Sequence, residues 1–298
     1  MTDVADLRAR LTERLPGLEI RSVTEMLNGW DSVVLDVNDE LIARFPKRDE
    51  VLVQLEKELP LLAELDRRLP GRVPAPTRVG APTDPDRFLT YSKLHGVALS
   101  PELASGSHGP ALADQIGELL TVVHGIDTAM VVGFGIPEAS AGDWRAQYVE
   151  LYERISDGVL PTLDPAERAS IEQTWRTFLD DPANFAFTPT LVHGDLACEH
   201  ILCDAGQGTV TGVIDWGDAR LGDPAFDFVG LYAECGWDFT RAVAAAYGGE
   251  PGATWEQRVA FYTFVIPFIG LLAGAELGDE GILAEARDGL AALLAERA

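Results

Sequence analysis

The most informative segment of this chain, residues 191–218, reads LVHGDLACEHILCDAGQGTVTGVIDWGD. Two short apolar runs within it, Ile201–Cys203 and Val210–Ile214, have the composition of β-strands. The segment Asp204–Gly208 between them contains two glycines and is typical of a turn. The segment therefore predicts an antiparallel β-hairpin that is preceded by a His-Gly-Asp loop.

The predicted hairpin brings together side chains that are distant in the sequence. A hairpin centred between Gln207 and Gly208 would place His200 directly opposite Asp215. Directly opposed residues have Cβ atoms about 4.5–5.5 Å apart, so both side chains could ligate one ion. Asp195 lies in the loop before the first strand, at the same end of the hairpin.

These residue types suit phosphoryl transfer. The phosphates of a nucleotide need a divalent ion, and the acceptor hydroxyl needs a carboxylate that orients it and takes its proton. We expect Asp215 to bind the ion and Asp195 to serve the hydroxyl. His200 is a less usual ligand for Mg²⁺, which prefers oxygen atoms.

Simpler interpretations of the same residues stay open at this point. His193 is expected to be a structural hydrogen-bonding residue rather than a base, and Asp215 alone could cap a turn. Cys198, His200 and Cys203 could bind zinc, although the cysteines lack the second pair that structural zinc sites usually have. A more ordinary role for the cysteines is that of small core residues.

The chain changes character near residues 93–97. Residues 1–92 contain five strand-like runs and a helical stretch from about Asp49 to Leu69, which contains Pro60. Most of the later sequence has helical periodicity. We therefore predict an α+β fold with a small β-rich N-terminal lobe (1–92), a hinge (93–97) and a larger, mostly helical C-terminal lobe (98–298). The strand-like runs are Leu18–Met26, Ser32–Val37, Glu40–Phe45, Thr77–Val79 and Arg87–Ser92.

The charge of the chain is strongly and unevenly negative. Its 298 residues carry 23 Lys and Arg against 48 Asp and Glu, a net charge of −25. Residues 1–92 hold 13 basic and 17 acidic side chains (net −4), whereas residues 93–298 hold 10 and 31 (net −21). This balance argues against a nucleic-acid partner and against an anionic membrane surface. Cationic small molecules are the favoured partners.

The sequence gives little sign of secretion or of a membrane anchor. The three cysteines do not form a disulfide framework, and acidic residues stand near the N-terminus where a signal peptide has basic ones. The longest apolar stretch, Val259–Ala275, contains Pro267 and Gly270 and is expected to be a buried helix. We therefore expect a cytoplasmic protein with no membrane association.

As a set, these motifs resemble those of the aminoglycoside phosphotransferase family, which has the bilobal protein-kinase-like fold. The 2''-aminoglycoside and macrolide branches are the most similar. The sequence His193-Gly194-Asp195 is similar to the catalytic loop of the family, which implies that Asp195 is the catalytic residue. The resemblance further implies that His200 and Asp215 bind the metal ion and that Asp227 braces the catalytic loop.

The resemblance extends into the N-terminal lobe. Residues 27–32, which end at Ser32, are similar to the turn that covers the nucleotide, although they contain a single glycine. Arg44 stands where the 2''-aminoglycoside branch usually has a phosphate-binding Lys. The resemblance implies that Glu58 is its partner, and Glu56 is a rival. The implied hinge, which would meet the purine ring of the nucleotide, includes Tyr91, Lys93 and Leu94.

The implied function is that of a small-molecule kinase acting in antibiotic resistance or self-protection. It would use Mg²⁺ to transfer the γ-phosphoryl group of ATP or GTP to a hydroxyl of an aminoglycoside-type antibiotic. Glu234, Asp238 and Glu276 in the acidic lobe are expected to pair with the amino groups of the acceptor.

Three other functions stay open. The acceptor could be a macrolide, since Phe264 and Phe268 could line an apolar pocket, or it could be another cationic metabolite alcohol. The chain could instead be a non-catalytic nucleotide-binding module of the pseudokinase type. The departures at the glycine turn and at Arg44 allow that reading, whereas the intact Asp195 and Asp215 argue against it.

Overall fold

The computed structural model describes residues 4–26 and 32–295, and the chain divides into two compact units. The first unit comprises residues 1–99, 129–136 and 199–218, and the second comprises residues 100–128, 137–198 and 219–298. The predicted α+β class is confirmed. The lobe boundaries proposed from the sequence, with a hinge at residues 93–97, stay a prediction.

The strands and helices are labelled here in chain order. The strands are β1 (Val23–Met26), β2 (Ser32–Val37), β3 (Leu41–Pro46), β4 (Thr77–Val79), β5 (Phe88–Ser92), β6 (Val97–Ala98), β7 (Thr190–Val192), β8 (Ile201–Asp204), β9 (Thr209–Val213) and β10 (Arg220–Gly222). The helices are α1 (Val4–Arg14), α2 (Asp49–Arg68), α3 (Pro101–Ser105), α4 (Gly109–His124), α5 (Thr128–Gly133), α6 (Ala141–Gly158), α7 (Pro165–Asp180), α8 (Val229–Ala246), α9 (Trp255–Leu277) and α10 (Glu280–Ala295).

Two antiparallel sheets form the framework of the first unit. The larger sheet has the strand order β1–β2–β3–β5–β4, and the smaller has the order β6–β8–β9. The predicted hairpin is thus present as β8 and β9. It belongs to the first unit because β6 pairs with β8, through Val97 opposite Cys203 and Ala98 opposite Leu202.

The larger sheet carries an apolar core on the side that faces α1. Leu7 and Leu11, one helical turn apart on α1, are buried against Leu35, Phe45 and Phe88 of the sheet. The rings of Phe45 and Phe88 stack with their centroids 4.4 Å apart. Successive residues of a strand point to opposite faces. The side chains of β2 and β3 that do not enter this core therefore lie on the opposite face of the sheet.

The second unit is mainly helical and is centred on aromatic side chains. Trp144 of α6, Trp175 and Phe178 of α7, and Phe261 and Tyr262 of α9 are buried in one cluster. Phe178 and Phe261 stack face to face with their centroids 3.6 Å apart. Such rings bury large apolar areas, so this cluster packs α6, α7 and α9 against one another.

Helix α9 contains the apolar stretch that the sequence predicts to be buried. It is the one helix among the described residues that is long and apolar enough to cross a membrane. In this fold, however, Phe264 and Phe268 lie in the aromatic cluster, with 4% and 0% of their surface exposed. Arg258, on the same helix, is also fully buried.

Arg258 and Asp223 form a buried ion pair in the second unit. Nε and Nη2 of Arg258 donate to the two Asp223 oxygens at 2.7 and 3.2 Å, and the Tyr262 hydroxyl donates to the same carboxylate at 2.7 Å. The Ala225 amide also donates to Asp223, at 2.9 Å, so this carboxylate caps the short helix Pro224–Phe228. The position of that helix therefore depends on α9.

Replacing Arg258 by Met should strongly destabilise the second unit, because it leaves the Asp223 carboxylate buried without its cation. We expect Arg258→Met to lower the free energy of unfolding by about 3–5 kcal/mol in urea titrations. Arg241→Met is the matched control. The Arg241–Glu256 pair is solvent-exposed and should contribute about 0–1 kcal/mol. Equal losses in the two variants would contradict the structural role of the buried pair.

Candidate active site

The His-Gly-Asp loop follows β7 and is held by one buried carboxylate. The amides of His193 and Gly194 donate to the two oxygens of Asp227, at 2.8 and 3.1 Å. The Asp195 amide donates to Nδ1 of His193 at 3.3 Å. Gly194 has a φ of +84°, a conformation that favours glycine. The loop therefore has a fixed backbone, and the Asp195 side chain at its end is exposed.

Two further residues that the sequence did not single out complete this brace. Nε2 of His124, the last residue of α4, lies 3.0 Å from Oδ2 of Asp227, and its Nδ1 lies 2.8 Å from the Tyr247 hydroxyl. With a proton on Nε2, the ring donates Nε2–H to the carboxylate. Burial alone would raise the pKa of Asp227. The hydrogen bonds from His124 and from the His193 amide instead lower that pKa below its usual value.

The β8–β9 hairpin forms with a register that differs from the predicted one. Ile201 pairs with Val213, and a bulge between Leu202 and Cys203 then shifts the pairing by one residue. At the start of β8, Ile214 lies opposite His200 and donates its amide to the His200 carbonyl at 3.0 Å. The expectation that Asp215 lies directly opposite His200 is therefore wrong by one residue, because neither the bulge nor the true centre of the turn was predicted.

His200 and Asp215 nevertheless lie close together. Asp215 has a φ of +64°, in the left-handed region that non-glycine residues rarely adopt. Its Oδ2 atom lies 3.8 Å from Nε2 of His200. The strand register does not place Asp215 opposite His200. The two side chains nevertheless lie close together where Asp215, after the end of β9, has this unusual backbone conformation. Strained residues of this kind are frequent at functional sites.

Arg44 on β3 and Glu58 on α2 form a second buried ion pair. Nη1 of Arg44 donates to Oε2 of Glu58 at 2.8 Å, and the two side chains are 16% and 4% exposed. Glu56, the rival partner, binds Arg78 and Arg87 instead, at 2.6 and 3.1 Å. Glu58 and Glu56 lie on different faces of α2, and Glu58 is therefore the one that pairs with Arg44.

The charges around Arg44 affect one another. Burial works against the charge of Arg44, but Glu58, Tyr91 and Asp215 together raise its pKa above the usual value. Burial also raises the pKa of Glu58, which the attraction of Arg44 only partly offsets. Burial raises the pKa of Tyr91 to about 12, so this phenol is neutral. The first unit therefore gathers Arg44, Glu58, Tyr91 and Asp215 in one electrostatic environment.

Of the other residues expected to bind the nucleotide, Ser32 is buried, whereas Lys93 is bound to acidic residues of the same unit. Ser32 begins β2 and is buried, and its Oγ has no hydrogen-bond partner among the described residues. The Lys93 amide donates to the Glu40 carbonyl, and its ammonium group pairs with Asp36 and Asp39 at 2.6 and 2.5 Å. Lys93 therefore fastens the β2–β3 turn.

Leu94 and residues 27–31 are the other parts of the expected nucleotide site. Leu94 packs on Gly212, where an added Cβ would lie 2.8 Å from Cδ1 of Leu94. Residues 27–31 of the expected nucleotide-covering turn lie outside the described residues.

The three acidic residues expected to bind the acceptor lie on two helices. Glu234 on α8 accepts a hydrogen bond from the Cys198 amide at 3.0 Å. Asp238 lies on the same helix beyond a break at Gly236, where φ is +73°. Glu276 lies near the end of α9 and pairs with Arg154 of α6. All three side chains are exposed, and two of them already serve a contact within the protein.

His200 and Asp215 are compatible with a magnesium ion but would supply only part of its coordination shell. Among the described residues, no group of three or more His, Cys, Asp or Glu side chains is arranged to hold a metal. Mg²⁺ in nucleotide sites is usually held by one or two protein ligands, with phosphate oxygens and waters completing the octahedron. The Asp215 carboxylate fits that pattern, and the His200 imidazole would be a less usual second ligand. The zinc alternative, which needs a closed set of ligands, does not fit.

The chain is similar in sequence to known phosphotransferases. The model of a family described as the phosphotransferase enzyme family matches residues 22–261. A viomycin phosphotransferase from Streptomyces vinaceus is 30% identical over 228 residues, which cover 73% of this chain and 75% of that protein.

Solved structures agree with this match. The GDP complex of wild-type aminoglycoside 2'-phosphotransferase-IIIa has a TM-score of 0.90 and 26% identity, and the match covers 100% of both chains. The GDP and kanamycin complex of APH(2")-IIia has a TM-score of 0.87 and 26% identity, with 98% of this chain and 99% of that chain covered.

The Asp227 brace predicts a stability change that depends on pH. Asp227→Asn removes a buried carboxylate that three groups contact, and we expect a loss of about 3 kcal/mol at neutral pH. The folded-state pKa of Asp227 is lowered, so its contribution is complete above the unfolded-state value of about 3.9 and is lost as the pH falls through the folded value. The difference between wild type and variant, measured by urea unfolding across pH, should therefore shrink in acid.

Asp238→Asn is the control for this measurement, because Asp238 is an exposed residue of the same unit. It should change the free energy of unfolding by no more than about 0.5 kcal/mol. If the loss in free energy of unfolding caused by Asp227→Asn became larger towards acid pH, the carboxylate would not be stabilised in its charged form.

Proposed function

The chain belongs to the phosphotransferase enzyme family, and on this premise we propose that it transfers the γ-phosphoryl group of ATP or GTP to a hydroxyl of an aminoglycoside-type antibiotic. The observation that carries the proposal is the grouping of the Arg44–Glu58 ion pair with Asp215 and its neighbour His200 in the first unit. A cytoplasmic location and a role in resistance or self-protection belong to the same proposal.

In this proposal Arg44 binds the phosphates of the nucleotide. Its guanidinium stays charged despite burial and offers five N–H donors, of which the bond to Glu58 uses one. Glu58 fixes the orientation of that group. His200 and Asp215 would hold Mg²⁺, which when bound neutralises the charge on the phosphate oxygens. Ser32, Tyr91, Lys93 and Leu94 are proposed to lie around the nucleotide.

Asp195 is proposed to act on the acceptor. Its carboxylate would accept a hydrogen bond from the acceptor hydroxyl and orient its oxygen toward the γ-phosphorus. It would take the proton as the new O–P bond forms and the bond from the γ-phosphorus to the bridging oxygen breaks, which releases the nucleoside diphosphate. The two amide bonds to Asp227 hold the loop backbone and so limit the motion of Asp195. Such positioning supplies much of the rate in a reaction with a loose transition state.

A cationic acceptor fits the charge of the chain better than an apolar one. Residues 93–298 carry a net charge of −21, and Glu234, Asp238 and Glu276 are exposed acids in that part. Of the relatives described above, one is named for viomycin and one for aminoglycosides. The macrolide alternative loses support, because Phe264 and Phe268 are buried in the aromatic cluster.

The acceptor is tested by incubating the purified protein with ATP or GTP and a panel of aminoglycosides, viomycin, macrolides and simple amino alcohols. Mass spectrometry should find a phosphate adduct on an aminoglycoside or another polycationic acceptor, and Asp195→Ala should abolish it while nucleotide binding persists. Asp180→Ala, which removes an exposed acid at the end of α7, is the control. A fully active Asp195→Ala enzyme would exclude the proposed role, and nucleotide binding without any acceptor would favour the pseudokinase alternative.

The role of Arg44 is tested by nucleotide affinity. Loss of one charge-assisted contact of about 1.5–3 kcal/mol should weaken binding roughly 10–100-fold in Arg44→Met, measured by calorimetry with GDP and ADP. Arg78→Met removes the corresponding arginine of the Arg78–Glu56 pair and should bind nucleotide normally. The double variant Arg44→Met/Glu58→Gln avoids a lone buried carboxylate. If it bound as tightly as wild type, Arg44 would have no role in phosphate binding.

A further inference from the structure

Two cysteines of the second unit lie in contact and have no part in the proposed reaction. Sγ of Cys198 lies 3.3 Å from Sγ of Cys235, and both are free thiols. Cys198 is fully buried three residues after Asp195, whereas Cys235, on α8, is partly exposed. The pair thus links the loop that carries Asp195 to a helix that is distant in the sequence.

We propose that Cys198 and Cys235 form a reversible disulfide that switches off phosphoryl transfer. The inactivation rests on the proposed function, whereas the bond itself rests on the geometry alone. The sulfur atoms need to approach by only about 1.2 Å, because a disulfide bond is about 2.05 Å long. One buried and one partly exposed thiol at this separation form a modification site that the proposed reaction does not use.

The surroundings of the two thiols indicate which parts would move. A Cβ added at Gly230 would lie 2.3 Å from the Leu196 carbonyl oxygen and 2.8 Å from Cα of Ala197, so the start of α8 packs directly on the loop. At Gly236, beside Cys235, the helix is broken and an added Cβ would meet no atom within 4 Å. We therefore expect the break at Gly236 to yield and the loop to be drawn toward it.

This movement would disturb the catalytic loop. The Cys198 amide is held by Glu234, the residue directly before Cys235, so closing the disulfide changes a contact that positions residues 196–198. Asp195 precedes this segment. A displacement of about 1 Å in a catalytic group can lower turnover by about 100-fold. Oxidation should therefore lower kcat without removing any catalytic side chain.

The chemistry requires a low-molecular-weight disulfide as oxidant. The Cys235 thiolate attacks that disulfide, forms a mixed disulfide and releases one small thiol; Cys235 goes first because it is the accessible sulfur. The hydrogen bond from the Cys198 thiol also lowers the pKa of Cys235. The contact with Cys235 and burial raise the pKa of the Cys198 thiol, so Cys198 reacts second: it loses its proton, attacks the Cys235 sulfur of the mixed disulfide and releases the second thiol. Both cysteines lose a proton to the released thiolates, and the two electrons reduce the oxidant to two thiols.

The chain contains its own control. Cys203 on β8 belongs to the first unit and is buried, and burial raises the pKa of its thiol to about 11. It should react far more slowly than Cys235. Cys203→Ser should therefore oxidise like wild type, and Cys235→Ser should resist oxidation. The variant at Cys235 is preferred to one at Cys198 because Cys235 is less buried.

The test equilibrates the full-length protein in buffers with increasing ratios of oxidised to reduced glutathione. Peptide mass mapping should find a Cys198–Cys235 cross-link, and kcat should fall by about 100-fold in parallel and recover with dithiothreitol. Cys235→Ser should keep the same kcat in oxidising and reducing buffer. Absence of the cross-link at every ratio would overturn the proposed disulfide, and a cross-linked enzyme with undiminished kcat would overturn the switch. A reduced protein without activity on any acceptor would count only against the proposed function.

Discussion

The Asp227 carboxylate is the interaction on which the loop that carries Asp195 depends. It is fully buried, and a buried carboxylate is tolerable only when hydrogen-bond donors replace its water. Two loop amides and the His124 ring supply them, so α4, the short helix 224–228 and the loop are fixed together. Asp223, four residues earlier, is fixed by Arg258 in the same way. Two buried carboxylates, Asp223 at the cap of the short helix and Asp227 within it, thereby connect the aromatic core with the residue proposed to accept the proton.

In the first unit, the positive charge of Arg44 is kept in a site with little access to water. Arg44 is mostly buried, and burial disfavours any charged group. Glu58 compensates, at the cost of a carboxylate whose own pKa is raised by burial. Burial would disfavour either charge without its partner. In addition, one Glu58 oxygen has no hydrogen-bond partner among the described residues. An arrangement of this kind contributes little to stability, which favours a binding role for the pair.

Local pattern predicted most of the fold and part of the site. Strands β2, β3 and β5, the helix α2 and the existence of the β8–β9 hairpin follow from periodicity and turn residues, because these signals lie within a few neighbouring positions. The register at His200 does not follow, since a bulge and the conformation of Asp215 leave no clear mark in the sequence. The roles of His124 and Tyr247 were also missed. Each is a single polar residue at the end of a helix, and their connection to Asp227 arises only when α4 and α8 pack.

The residue type at position 44 illustrates how the environment constrains the chemistry. A lysine in a site this dry would lose its proton more readily, because burial lowers the pKa of an amine and a single ammonium offers three donors on a flexible stem. Arginine keeps its charge even when buried, and its planar group can bind a carboxylate along one edge while it presents N–H groups along another. The pairing with Glu58 uses one of these N–H groups. The departure from lysine is therefore compatible with phosphate binding, and it ties the orientation of the charge to α2 more rigidly than an ammonium group would.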